Sequence, residues 1–177
     1  MAIAALLAGS TIMMAQTTPR TPPPSDPSSP TTTTPRASGE LKHSDKSFIE
    51  KVAKGGQKEV QLAQIAAERA TNPQVKEYAQ MLVTDHQQMN NEVMTLAANK
   101  GVQLPVESPK LDKWSNKKAN EFDKDFIKEM VDEHEDDISL FEKAAKSEDA
   151  EVAAFAQKYL PKLQSHYTQA KDLKKTY

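Results

Sequence analysis

The sequence predicts an all-α protein, an antiparallel four-helix bundle built from two helix hairpins behind a disordered N-terminal segment. Three observations carry this. Only five of the 177 residues are glycine, and Ala, Lys, Glu and Gln recur in runs that favour helix. Four long stretches place apolar residues three and four apart, the spacing of one helix face. Between them stand short clusters with helix stops and caps, Thr71-Asn72-Pro73 and Ser147-Glu148-Asp149, separated by one longer connector.

Composition narrows the function classes. Lys plus Arg is 23 and Asp plus Glu is 25, so nothing favours nucleic acid or a polybasic membrane contact. The absence of cysteine excludes disulfides, thiolate metal sites and a lipid-modified cysteine. No Ser-His-Asp arrangement, Gly-rich phosphate loop or dinucleotide fingerprint is present, and no catalytic residue is assigned.

Residues 1–15 are apolar and end in Met13-Met14-Ala15, the core of a secretory signal peptide. At that length the stretch falls short of the roughly 20 residues that span a bilayer, which sets the signal above a short membrane anchor. Residues 16–43 form a Pro/Thr-rich linker: seven of the eleven prolines lie from Pro19 to Pro35, and such a chain stays extended because it has no core to bury. The bundle takes residues 44–177.

The first helix is expected from about Ser47 to Ala70, with Ser47 and Glu50 as a capping box and Ser44 as a rival cap. Its inward face is Phe48, Val52, Gly55/Gly56, Leu62/Ala63, Ala66 and Ala70, and Glu59 falls on it. Asn72 caps the second helix and Pro73 takes its first position, where the missing N–H costs nothing. Val75, Tyr78/Ala79, Leu82, His86, Met89, Val93 and Leu96 face inward, and Gly101 stops the helix. A short turn near Lys110 to Trp114 covers one end. The third helix, Asn116 to Lys146, turns Phe122, Phe126/Ile127, Met130, His134, Ile138, Phe141 and Ala145 inward. Ser147 is the expected cap of the fourth, whose face is Val152, Phe155/Ala156, Tyr159, Leu163, His166, Ala170 and Leu173. Pro161 removes one backbone bond from it. Val75 to Gln80 resembles Val152 to Gln157, a faint repeat consistent with two hairpins.

Counting outward from the two turns puts Glu59 level with His86. His134 and His166 are offset by roughly 9 Å at about 1.5 Å per residue. If the hairpins align, one acid and three imidazoles share the middle of the bundle. An unpaired buried carboxylate costs several kcal/mol, so Glu59 needs a protonated histidine, a metal ion or water. The candidate metal ligands are therefore Glu59, His86, His134 and His166. Three imidazoles with a carboxylate suit Zn, Fe or Cu. Asp85, Glu133 and Asp137 flank the histidines and are candidates to orient their rings, against the plainer reading of Glu133 and Asp137 as a solvated flank. Met89 and Met130 read as core filling. His43 reads as exposed and unrelated.

The segments VKEYAQMLVTDHQQMN (75–90), FIKEMVDEHEDDISLFEKAA (126–145) and YLPKLQSHYTQA (159–170) resemble the bacterial exported proteins of the domain of unknown function 4142 family. The resemblance runs from about Ser47 to Leu173. It implies a ferritin-like four-helix bundle exported to the periplasm or envelope, and brings no activity with it. Di-iron bundles supply Glu-x-x-His from two helices. Here Val83, Val131 and Leu163 stand three residues before the histidines, which argues against a carboxylate-bridged di-iron centre. Two functions follow: an exported metal-binding bundle for metal handling or stress tolerance, or a structural or interaction module of the cell envelope whose histidines are only hydrogen-bonded.

Overall fold

The computed structural model describes residues 40–177, so the expected signal peptide and most of the Pro/Thr-rich linker lie outside the described residues. Among the described residues five helices are formed: α1 His43–Arg69, α2 Pro73–Lys100, α3 Asp112–Ser115, α4 Ala119–Ala144 and α5 Ala150–Lys174. No strand occurs among the described residues, and no helix there is long and apolar enough to cross a membrane.

α1 packs against α2 and α4, and α5 against α4 and α2. The start of α1, the end of α2 and the start of α5 meet at one end of the bundle. There Lys42 pairs with Glu148 at 2.8 Å and Lys100 with Asp149 at 2.7 Å. The α1–α2 turn and the start of α4 meet at the other end through Thr71 and Asp123. Each helix is therefore antiparallel to both neighbours. The connection over residues 101–118 runs the length of the bundle, about 40 Å for 28 helical residues. Lys54 reaches Glu107 along this connection. At its far end Trp114 is buried, and the Arg69 guanidinium donates to the carbonyls of Trp114, Ser115 and Lys117 while lying over the Phe122 ring. This is the short turn expected near Lys110 to Trp114.

Helix ends follow local chemistry where a side chain can cap. The Asn72 side chain accepts from the Gln74 N–H, Pro73 opens α2, and Gly101 closes it with φ 67°, a conformation that costs glycine little. Two expected caps are displaced. α1 starts at His43 rather than Ser47, after Lys42, which makes no side-chain cap. What holds this extra turn is tertiary: Asp45 is buried and accepts 2.8 Å from the Ser147 hydroxyl. Ser147 is thereby occupied and does not cap α5. Asp149 does, accepting from the Glu151 and Val152 N–H groups. α4 is shorter than expected, at Ala119–Ala144.

Nearly every inward position is buried as the periodicity requires; Gly55, Ile138, Ala145 and Leu173 are half-buried. The apolar core falls into two clusters. One, near the α1–α2 turn, includes Leu62, Leu82, Trp114, Phe122, Phe126 and Met130. The other, at the opposite end, includes Phe48, Met89, Val93, Phe141, Phe155 and Tyr159. Between them lies the polar layer that contains Glu59 and the three histidines.

Asp123 was not singled out by the sequence. It is buried on α4 and accepts from the Thr71 N–H, the Thr71 hydroxyl at 2.7 Å and the Asn72 N–H at 2.8 Å. Asp123→Ala leaves these donors without a partner and is expected to cost about 2–3 kcal/mol in urea unfolding. A loss below about 0.5 kcal/mol, the range of an ordinary surface change, would show that the turn is held by other means.

Candidate metal centre

The four helices place the polar layer by simple geometry. Measured from the end where α2 and α4 finish, Glu59 and His166 stand about 24 Å along, His86 about 21 Å and His134 about 15 Å. The remaining offset closes because helical side chains lean toward their own N-terminus. α4 and α2 begin at the far end and α1 and α5 at the near end. His134 and His86 therefore lean one way and Glu59 and His166 the other, into a common layer. The 9 Å gap between His134 and His166 disappears in this way.

All four side chains are sequestered: Glu59 is 1% exposed, His86 1%, His134 0% and His166 2%. The three imidazoles each offer one nitrogen to a common point, these atoms lying within 4.8 Å of one another. The ring centroids are 5.3–5.4 Å apart. Glu59 is not part of that converging set. Its Oε2 lies 3.0 Å from His86 Nδ1 and its Oε1 3.6 Å from His134 Nδ1. The ring N–H of His86 is not aimed along that short contact, so neither Glu59 oxygen and neither His86 nitrogen has an aligned hydrogen-bond partner.

The other two rings are anchored from outside. His134 Nδ1 lies 2.9 Å from the Met130 carbonyl, one turn earlier on α4, and must be the donor. His166 Nε2 lies 2.9 Å from Asp85 Oδ2, and the carboxylate is the acceptor. Asp85 Oδ1 in turn accepts 2.7 Å from Lys162. With those protons committed, His134 Nε2 and His166 Nδ1 face each other at 3.3 Å. If both rings are neutral, two lone pairs oppose one another. Only a shared proton or a metal ion makes that contact attractive.

The titration directions favour neutral rings. Burial pushes His134 down, helped by the charge of His86 and opposed by Glu59. Burial likewise pushes His166 down, to about 4, against its bond to Asp85. His86 behaves oppositely: burial would lower it, but the Glu59 carboxylate raises it. Burial alone would raise Glu59, and the His86 charge overrides that and holds it well below the usual range. The metal-free layer is therefore a buried His86–Glu59 ion pair beside two neutral imidazoles.

The flanking acids divide. Asp85 does orient a ring. Glu133 does not: on α4 it is turned about 100° from His134 and pairs with Lys58 of α1. No hydrogen bond joins Asp137 to an imidazole; its charge reaches His86 only through space. Burial pushes Glu133 to about 7, and burial together with the Glu59 charge pushes Asp137 to about 8. Lys162 was missed by the sequence reading, although it stands one turn before His166 on the same face of α5. His43 is exposed, within the first turn of α1.

The donor set fits a transition metal. At about 2.0 Å per metal–nitrogen bond, two ligands of a three- or four-coordinate ion stand about 3.3–3.5 Å apart, the separation His134 and His166 already have.

The family model of a domain of unknown function, DUF4142, matches residues 30–173. The chain belongs to that family. Solved structures share the fold. A DUF305 fragment from Deinococcus radiodurans superposes with TM-score 0.68 at 11% identity, covering 78% of this chain and 100% of that one. CopM in its Cu(I)-bound form superposes with TM-score 0.65 at 20% identity, covering 75% and 96%. CopM co-crystallised with Ag gives TM-score 0.63 at 21% identity, again covering 75% and 96%. No curated protein matches the chain.

The pH dependence of the metal-free protein follows from these directions. Asp137, whose folded value of about 8 lies above its ordinary 3.8, holds a proton in the folded state that the unfolded chain releases. Its stabilising contribution is complete below 3.8 and is lost as pH rises toward 8. His86, raised above 6.5, adds to the loss once pH passes that value. Stability of chelator-treated protein is expected to fall between about pH 6.5 and 8, and Asp137→Asn to flatten the fall. A parent profile level across that window would contradict the upward shift of Asp137.

Proposed function

We propose that this protein binds one transition-metal ion through His86, His134 and His166 and serves metal handling or metal-stress tolerance outside the cytoplasm. The observation that carries the reading is the pair of lone-pair nitrogens, His134 Nε2 and His166 Nδ1, held 3.3 Å apart while their other nitrogens are committed to Met130 and Asp85. With both rings neutral the two lone pairs repel, and an ion between them turns the contact attractive. His86 completes the set with a nitrogen that has no other partner.

Among Zn, Fe and Cu, the site favours copper in its monovalent state, or silver. The converging donors are imidazoles only, with no carboxylate for iron. CopM, whose fold this chain shares, has been seen with Cu(I), Cu(II) and Ag. A bound ion supplies the positive charge that the two opposed lone pairs require.

Glu59 takes an outer role in this reading. Its carboxylate lies against the Nδ1 atoms of His86 and His134 and offsets the charge of the ion in a buried layer. Asp85 does the same for His166. The expected signal peptide and Pro/Thr-rich linker support a place in the periplasm or envelope, with the bundle held at the end of a spacer.

Titration of chelator-treated protein with Cu(I) or Ag(I) is expected to give one tightly held ion per chain. His86→Ala, His134→Ala and His166→Ala are each expected to abolish tight binding while the far-UV spectrum stays helical. Glu59→Gln is expected to keep the stoichiometry and lose about 10–100-fold in affinity, the usual cost of an outer partner. Loss of stoichiometry in Glu59→Gln would make Glu59 a direct ligand. A parent protein that takes up no ion would leave the histidines as a purely structural layer.

A further inference from the structure

The three histidines are closed on most sides, and where the layer comes nearest the surface is decided by α2 and α5. One cavity touches the cluster. It lies between α2 and α5 and is lined by His86, His166, Met89, Tyr159, Asp85 and Lys162 among others. No part of it admits a water molecule. An ion cannot reach the imidazoles by this route until a side chain moves.

Two charged side chains on the rim differ in exposure. Lys162 is 40% exposed and Asp85 18%, while His166 behind them is 2% exposed. They form a relay from solvent inward: Lys162 Nζ to Asp85 Oδ1 at 2.7 Å, then Asp85 Oδ2 to His166 Nε2 at 2.9 Å. One turn along, Lys158 of α5 pairs with Glu92 of α2, closing the next stretch of the same seam. α5 is weakened where the relay sits. Pro161 directly precedes Lys162 and has no N–H, so the Gln157 carbonyl lacks its helical donor.

We propose that Lys162 and Asp85 form the gate of the metal centre, Asp85 being the residue that first receives a cation. This rests on the metal reading above. Lys162 is a flexible ammonium on a half-exposed stem, so it swings into solvent at low cost, leaving a carboxylate at the mouth of a buried histidine cluster. Asp85 exchanges the ammonium for the cation with no net change in charge at its oxygens. His166, already bonded to the same carboxylate, lies next on the inward path. When Lys162 returns, the seam is closed over the loaded site.

The inference is about rates. Lys162→Met keeps the apolar stem and removes the charge. Uptake of Ag(I) by metal-free protein, and its release to a competing chelator, are expected to quicken together by about fivefold, the factor carried by an ion pair of ordinary half-exposed strength. Affinity is expected to stay within about twofold because both rates change alike. Lys128→Met, which removes an exposed lysine paired with Asp132 on α4, is expected to change neither rate. A second readout needs no metal: carbethoxylation of His166 in metal-free protein is expected to be faster in Lys162→Met than in the parent. Unchanged uptake, release and modification rates in a folded Lys162→Met protein would overturn the gate. If the parent binds no Ag(I), the metal reading falls instead, and the modification rates still decide whether Lys162 controls access to His166.

Discussion

The structure depends on one constraint: a carboxylate and three imidazoles must be kept out of water in the middle of an otherwise apolar bundle. Glu59 is 1% exposed, and among the described residues no lysine or arginine lies within ion-pairing distance of it; the side-chain nitrogens that do belong to His86 and His134. Burying such a group is tolerable only when its charge is matched nearby. His86 supplies the match, so the two residues are ionised together. The remaining polar contacts follow from that pairing. His134 is tied to its own helix through Met130, and His166 is tied through Asp85 to a lysine at the surface.

The same constraint explains why the core is divided. The two apolar clusters, one around Trp114 and Phe122 and the other around Phe48 and Phe141, are each continuous, and the layer lies between them. Each supplies aromatic packing, such as the edge-on pair of Phe48 and Phe141 with centroids 5.1 Å apart. The ends are fixed by separate devices: Asp123 on one turn, and Asp45 with Ser147 and Asp149 on the other. Stability can therefore be carried by the ends while the centre is set by chemistry.

Much of the architecture was legible in the sequence. The Asn72-Pro73 start and Gly101 stop of α2 were readable because they act within a few residues. So was the inward turn of Glu59, His86, His134 and His166, since side-chain direction in a helix depends only on spacing. What depends on other helices was not readable. The start of α1 at His43 is set by Asp45 meeting Ser147, 102 residues away, and that contact also moved the α5 cap to Asp149. The residual 9 Å offset between His134 and His166 could not be resolved by counting, because opposite helix directions make the side chains lean together. Sequence spacing placed Glu59 in the layer, but depth alone cannot say which ring nitrogen a carboxylate will face. Glu133 and Asp137, adjacent on α4 to the same face, were separated only by what α1 presents: Lys58 takes Glu133.

The arrangement is costly compared with what could replace it. A layer of leucine and phenylalanine of similar volume would join the two apolar clusters, and exchanges of buried ionic groups for apolar ones are often neutral or stabilising by about 1–4 kcal/mol. A layer retained for folding alone would at least satisfy its own hydrogen bonds, as Asp123 does. This one holds Glu59 to His86 as an ion pair without an aligned hydrogen bond, and brings His134 Nε2 and His166 Nδ1 together while their other nitrogens are already committed. Those are the atoms a cation at the centre would engage, directly at the imidazoles and through charge at the carboxylate. The groups that look mispaired in the bare protein are thus the ones the ion would complete. The groups around the layer that are well paired, Met130 with His134 and Asp85 with His166, hold the rings in the orientation that makes completion possible.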